Sequence, residues 1–134
     1  MKIFRLPDAV SVPTDTRSFS GSVRSRRLAS DDATVPVHVY RVEFDQDGRT
    51  RWHTHTGPQW LLIVEGRVRV QKWGEPSQDV DAGDTVVIDR GEKHWHGAAP
   101  GSRGAHLAVN LNATTEWLEP VSDDQYTAHG TRGT

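Results

Sequence analysis

Trp52-His53-Thr54-His55 places two histidines two residues apart, and His94-Trp95-His96 repeats that spacing later in the chain. Alternate side chains of a β-strand point to the same face, about 6.5–7 Å apart along the strand. Each pair can therefore direct both imidazoles at one point. Imidazole fills an apolar core poorly, because both of its nitrogens need partners. The spacing predicts a metal-binding face built on two strands, with hydrogen-bonded core histidines as the alternative.

The sequence around these pairs has the period of strands. Apolar alternation or short apolar runs predict strands at residues 35–44, 60–64, 68–73, 85–88 and 106–111, with an earlier strand near 19–23. Turn residues recur about every 8–12 positions, including Glu65-Gly66, which is typical of an all-β sandwich or barrel. Loops are expected at 24–27 and 29–33, a short helix at 113–116 or 123–126, and a frayed tail from 127 to 134.

Composition limits the classes of function. The chain has 134 residues, the size of one domain, with 34% hydrophobic residues. Lys plus Arg total 16 against 18 Asp plus Glu, so the charge of −2 gives no reason to expect a nucleic-acid or membrane partner. The absence of Cys excludes thiolate nucleophiles and Cys-ligated metals. No stretch approaches a membrane span and residues 1–8 lack the apolar part of a signal peptide, so a cytoplasmic location is expected.

Two blocks of this sequence carry a resemblance to the cupins. The first has Gly48, His53, His55, Gln59 and Gly66 in the order of one cupin motif, with four residues in place of five between Gly48 and His53. The second has Gly83, then Asp89-Arg90-Gly91 and His94 at the spacing of the other motif. The resemblance implies a cupin double-stranded β-helix, a jelly-roll barrel, as a single domain over 1–134. The barrel core would span about 35–112, with an N-terminal strand region at 1–34 and a C-terminal segment at 113–134. It also implies a metal held by His53, His55, Gln59 and His94.

Three runs resemble the bacterial manganese-dependent cupin hydroxynitrile lyases: 52–59, 91–100 and 117–126. That resemblance implies a metal-dependent lyase that cleaves or forms cyanohydrins, from aldehyde and cyanide, with the substrate hydroxyl on the metal. It also implies Mn²⁺, whereas nitrogen and oxygen ligands alone leave Fe, Co, Ni and Zn open. The departures are Asp89 in place of the usual proline, Asn110 where the lyases are expected to have Gln, and the bulky Tyr40.

Gln59 matters because it is uncharged. Three neutral imidazoles and an amide leave a divalent ion its full charge, which makes it a stronger Lewis acid than a glutamate ligand would. The alternative is that Gln59 only forms hydrogen bonds inside the barrel while three histidines hold the ion.

Roles for the remaining site residues follow from strand parity. His96 shares a face with His94, and His106 lies on a later strand; these two are the candidates for general base and cyanide stabiliser, with His96 as an orienting group being the alternative. Tyr40 and Val42 should share one face, and Asn110 the face of His106, so these three are predicted to line the substrate pocket. Thr50 joins them only if the strand is irregular, because strict alternation turns it away from His53.

Tryptophans are assigned structural roles. Trp52 and Trp95 alternate with the ligand histidines and should face away from the metal. Trp60 and Trp73 are expected in the core or an interface, and Trp117 is expected to pack the C-terminal segment onto the barrel.

Two other functions remain open from the sequence: a cupin-type metal-dependent dioxygenase, and a non-enzymatic cupin that binds a small molecule. A small-molecule substrate and a homodimer or homotetramer are the expected partners, since pairing covers open sheet edges.

Overall fold

The computed structural model describes residues 1–132. Within them it has a 3₁₀ turn at Leu6–Asp8, one α-helix, α1, at Asp123–Thr127, and thirteen strands. The strands are Val12–Pro13 (β1), Phe19–Ser20 (β2), Val23–Asp31 (β3), Val37–Phe44 (β4), Arg49–Thr50 (β5), His53–His55 (β6), Gln59–Lys72 (β7), Gln78–Asp81 (β8), Thr85–Ile88 (β9), His94–Ala98 (β10), Gly104–Leu111 (β11), Thr115–Trp117 (β12) and Thr131–Arg132 (β13).

The strands form one curled, almost wholly antiparallel sheet, in the order β1-β3-β4-β11-β7-β10-β5-β2. The first half of β7 pairs with β11 and β9, and its second half pairs with β10 and β8. On its other side β10 pairs with β5 and β6, and β6 pairs with β12. The sheet thus folds over on itself along β7, which gives the jelly-roll architecture expected from the sequence.

Residue Gly66 explains why β7 is continuous. The predicted turn at Glu65-Gly66 is wrong, since one strand runs from Gln59 to Lys72. Gly66 has a φ of 63°, and a Cβ there would lie 2.0 Å from the carbonyl oxygen of Arg103. Only glycine tolerates this geometry without strain. A bulge at Val64, opposite the step from Ala105 to His106, bends β7 so that the chain passes from one face of the barrel to the other without reversing.

Two apolar clusters fill the barrel. A third lies on its outer side, behind strands β6 and β10. The clusters inside are Leu61, Ile63, Val68, Ile88 and Ala108, and Val23, Val42, Phe44 and Ala98. The third joins Trp52 and Trp95 to Val121 and Tyr126, so the C-terminal segment packs against the backs of β6 and β10. The prediction that Trp52 and Trp95 face away from the histidines is confirmed.

Other sequence predictions are corrected by the structure. The strand predicted at 35–44 begins at Val37, and the predicted loops at 24–27 and 29–33 are wrong up to Asp31, because β3 runs through them. The early strand at 19–23 ends at Ser20, and Val23 opens the next strand. The helix predicted at 113–116 is wrong, since Thr115–Trp117 is a strand, whereas α1 confirms the alternative near 123–126.

Two predictions about the surface and the tail are also revised. Trp60 and Trp73 are about half exposed, so neither belongs to the core, and the interface expected as the alternative stays a prediction. The predicted frayed tail is wrong for residues up to 132, because Thr131–Arg132 pairs with β8; residues 133–134 lie outside the described part.

Neither helix in residues 1–132 combines the length and apolar character needed to cross a bilayer.

Candidate metal and active site

A cavity of about 240 Å³ opens inside the barrel, next to the histidines. Nine of the ten residues predicted for the site line it: Tyr40, Val42, Thr50, His53, His55, Gln59, His96, His106 and Asn110. His94 reaches the cluster from the other side, where it borders a smaller recess. The two sequence blocks therefore meet at one place in the barrel.

Sheet pairing brings the two histidine motifs together. His53 and His94 are direct partners across β6 and β10, and their ring centroids are 4.2 Å apart. The ring of His55 lies 4.9 Å from that of His53 and 5.0 Å from that of His94. Since all three side chains are buried, this is a compact imidazole cluster in the protein interior.

Backbone carbonyls fix the tautomers of two of these histidines. His53 Nδ1 lies 2.7 Å from the carbonyl oxygen of Arg51, and His94 Nδ1 lies 2.8 Å from that of Glu92. A carbonyl oxygen can only accept, so each Nδ1 carries the proton and each Nε2 keeps its lone pair. His94 Nε2 is buried without a hydrogen-bond partner. Lone pairs in this situation are costly unless an ion or water meets them.

The side chain of Gln59 combines the two possibilities left open by the sequence. Its Nε2 donates to Oδ1 of Asn110 at 2.7 Å, while its Oε1 is buried and has no partner. The amide thus forms a hydrogen bond inside the barrel and still leaves its oxygen available. Imidazole nitrogens and an amide oxygen fit a divalent ion of the first transition row, so the residues present suit the metal that the cupin motifs imply.

Burial keeps the histidines neutral. It lowers the pKa of His53 and His96 well below the ordinary value, lowers that of His94, and brings the pKa of His55 to about 4 and that of His106 to about 3. Neutral imidazole is the form that binds a metal, so protons compete weakly for these nitrogens at neutral pH.

His96 lies closer to the cluster than the sequence indicated. His53, His94 and His96 each offer a ring nitrogen, and these three atoms lie within 4.8 Å of one another. His96 Nδ1 is 2.9 Å from Nε2 of His106, and His96 Nε2 is buried without a partner. The structure therefore leaves His96 two possible functions, as a ligand beside His53 and His94 or as a member of a buried histidine pair with His106.

Thr50 faces the cavity because the strand is interrupted. β5 ends at Thr50 and β6 begins at His53, so Arg51 and Trp52 break the alternation that would have turned the hydroxyl away. This break is the strand irregularity that Thr50 needs in order to face the cavity. The Thr50 hydroxyl donates to the carbonyl oxygen of Arg51 and accepts from the backbone N–H of His96, which links the end of β5 to β10.

The residues predicted from strand parity lie along the cavity, together with others that parity did not indicate. Tyr40 and Val42 share one face of β4, and His106 and Asn110 share one face of β11. The cavity is also lined by five residues that the sequence pattern did not indicate: Phe19, Ser25, Ala108, Thr115 and Trp117. Ala108 was within reach of the same parity argument, because it lies between His106 and Asn110 on that face.

Trp117 enters the site through a strand that the sequence did not predict. It pairs with His53 across β12 and β6, with ring centroids 4.6 Å apart, and Phe19 lies 5.6 Å from it. Trp117, which was expected to pack the C-terminal segment onto the barrel, therefore also forms part of the cavity wall.

The sequence matches a protein-family model and a known relative. Residues 40–110 match the Cupin domain family model. Over 129 residues the chain is 35% identical to an (R)-mandelonitrile lyase of Granulicella tundricola, covering 94% of this chain and 98% of the relative.

Solved structures give the same family and fold. A cupin-like protein from Thermotoga maritima superposes with a TM-score of 0.82 at 32% identity, over 85% of this chain and 89% of that one. The polyketide cyclase RemF of Streptomyces resistomycificus, at 22% identity, shares the fold with a TM-score of 0.73 over 94% and 90% of the two chains. From its two histidine blocks, its barrel and these matches, the chain belongs to the cupin family.

Proposed function

We propose that this cupin is a metal-dependent carbon–carbon lyase that cleaves cyanohydrins to an aldehyde and cyanide, or runs the reverse addition. The observation that carries the proposal is the donor set: neutral imidazoles and one amide oxygen, with no carboxylate among the residues that line the cavity. The similarity to an (R)-mandelonitrile lyase along almost the whole chain supports this reaction class.

The proposed metal ligands are His53, His55, Gln59 and His94, with manganese as the proposed ion. When bound, a divalent ion at these neutral donors would supply strong Lewis acidity toward a hydroxyl or carbonyl oxygen.

His106 and His96 are proposed to accept the proton of the substrate hydroxyl and to return it to cyanide. Cleavage takes a proton from the cyanohydrin hydroxyl, breaks the bond to the nitrile carbon and leaves an aldehyde, while the bonding electron pair departs with cyanide. A neutral imidazole can accept that proton and, once charged, stabilise the departing anion before returning the proton as HCN forms. The hydrogen bond between the two rings gives the proton a second nitrogen to move to.

The substrate's organic group would occupy the apolar part of the cavity. Val42, Ala108 and Trp117 provide its walls, and Tyr40 narrows it. The volume of about 240 Å³ suits a small molecule and excludes a macromolecule.

The test is cyanide release from mandelonitrile by protein loaded with Mn²⁺. Wild type and Trp60→Phe, a matched change at an exposed tryptophan outside the cavity, should release cyanide at the same rate, while His53→Ala should lose the activity. Equal rates in wild type and His53→Ala would contradict the proposal. Oxygen uptake without cyanide release would favour the dioxygenase, and binding without turnover would favour a non-enzymatic cupin.

The cytoplasmic location and the homodimer or homotetramer expected from the sequence stay predictions.

A further inference from the structure

An amide–amide hydrogen bond fixes the direction in which Gln59 points. Gln59 and Asn110 are directly opposite residues of β7 and β11. Gln59 Nε2 donates to Asn110 Oδ1 at 2.7 Å, and the Gln59 side chain is buried, with 4% of the residue exposed. A buried amide in this position cannot exchange partners with solvent, so its orientation depends on Asn110.

The two ends of the Gln59 amide are not equivalent for a cation. Oε1 has lone pairs and can ligate, whereas the Nε2 group presents two hydrogens and cannot. If the amide turned over, N–H groups would stand where positive charge is to bind. The structure has Oε1 free and buried, and Nε2 occupied by Asn110.

We propose that Asn110 is a positioning residue: its side-chain oxygen holds Nε2 of Gln59 and thereby reserves Oε1 for the metal. This inference rests on the metal site proposed above. It differs from the role assigned to Asn110 from the sequence, where it was part of the substrate wall, because Asn110 here acts through Gln59.

The geometry favours this pair over other partners. Directly opposed residues in an antiparallel sheet have Cβ atoms about 4.5–5.5 Å apart, a separation that a short asparagine and a glutamine can bridge. Among residues 1–132, the Asn110 side chain forms no other hydrogen bond, so no competing partner draws it away from Gln59.

Metal affinity, measured by calorimetric titration of metal-free protein with Mn²⁺, tests the proposal without reference to turnover. Asn110→Leu removes the acceptor at similar volume and should raise the Kd by about 10-fold or more, the usual cost of losing a group that orients a ligand. Asn110→Asp keeps an acceptor facing Nε2 and should bind at least as tightly as wild type. Gln46→Leu, the loss of an exposed amide outside the cavity, should leave the Kd unchanged.

A double-mutant cycle separates positioning from a general effect on the cavity. If Asn110 acts through Gln59, then Asn110→Leu should add nothing to the Kd in a Gln59→Ala background. Thermal unfolding of each metal-free variant checks the fold, and Asn110→Ala replaces the leucine variant if that one unfolds.

Two results would overturn the inference while leaving the metal site intact. One is a wild-type Kd in both the leucine and the alanine variants. The other is an equal loss of affinity with and without Gln59. Failure of the wild-type protein to bind Mn²⁺, Co²⁺ or Zn²⁺ would instead overturn the proposed metal site, and this role with it.

Discussion

The carbonyl oxygens of Arg51 and Glu92 perform the same task in the two histidine motifs. Each accepts from Nδ1 of the histidine two residues further on, so Nε2 of His53 and His94 is left with its lone pair. A metal-ligating histidine usually donates its other nitrogen in this way, which fixes both ring orientation and tautomer. The ligand form of these side chains is thus set by local backbone before any ion binds.

The residue His106 provides a test of the proposed proton transfer. It is fully buried and hydrogen-bonded to His96. His106→Asn keeps a polar side chain but cannot carry the proton, so kcat for mandelonitrile cleavage should fall by about 10²–10⁴. Mn²⁺ content should stay that of wild type. His38→Asn, on the neighbouring β4 and outside the cavity lining, is the control and should keep full activity; an equally active His106→Asn would remove this histidine from the mechanism.

The lowered histidine pKa values predict how stability depends on pH. The unfolded chain binds protons at histidine near pH 6.5, whereas burial holds the pKa of His106 at about 3 and that of His55 at about 4. Between about pH 6.5 and 4 the unfolded state therefore binds more protons, and the free energy of unfolding should fall as pH falls, by up to about 1.4 kcal/mol per pH unit for each such histidine.

Urea denaturation of metal-free protein at pH 7, 6 and 5 measures this dependence, in a range where carboxylates stay ionised. His55→Gln should reduce the slope by one histidine's share. A stability that is flat from pH 7 to 5 would show that the buried rings titrate normally.

At the level of elements, the C-terminal segment holds the backs of the histidine strands. Trp52 donates from Nε1 to Gln125, and Arg69 of β7 donates to the carbonyl oxygens of Tyr126 and Ala128. Arg69 also forms two hydrogen bonds with Asp79 while almost fully buried. The guanidinium therefore joins the barrel, β8 and the end of α1.

Two arginines on β7 allow a matched comparison. Arg69→Met leaves Asp79 and the carbonyl oxygens of Tyr126 and Ala128 without their donor, and should lower the free energy of unfolding by about 3 kcal/mol. Arg67 forms a similar pair with Asp81, but both side chains are about 40% exposed, so Arg67→Met should have a far smaller effect. Chemical denaturation of both variants measures the difference, and equal losses would mean that burial does not govern the contribution of these pairs.

Most strands could be predicted from period-two patterning, and the exceptions have physical causes. Glu65-Gly66 has turn composition, yet β7 continues through these residues without reversing, because of the bulge opposite Ala105 and His106. Residues 113–116 have no strong strand pattern, and β12 forms because it pairs with β6. Both outcomes depend on residues distant in sequence, which local patterns do not contain.

For the molecule as a whole, barrel closure is what makes the site. His53 and His94 are separated in sequence but become direct partners once β6 and β10 pair. The histidine faces and the cavity wall on β4 and β11 could be predicted, because each depends on parity within one strand. Phe19 and Trp117 could not, because they come from strands outside the two motif blocks and reach the cavity through long-range pairing.

Metal stoichiometry is the most direct test of the central claim, that neutral donors from two sequence blocks hold one divalent ion. Metal-free wild type, His53→Ala and His94→Ala should be incubated with excess Mn²⁺. One portion is freed of unbound ion and analysed for metal, and another is kept in Mn²⁺ for thermal unfolding. We predict one ion per wild-type chain, with a stabilisation of about 2.7 kcal/mol when free metal is 100 times the Kd, and neither effect in the two variants. A wild-type chain that retains no metal, or variants that retain as much as wild type, would contradict it.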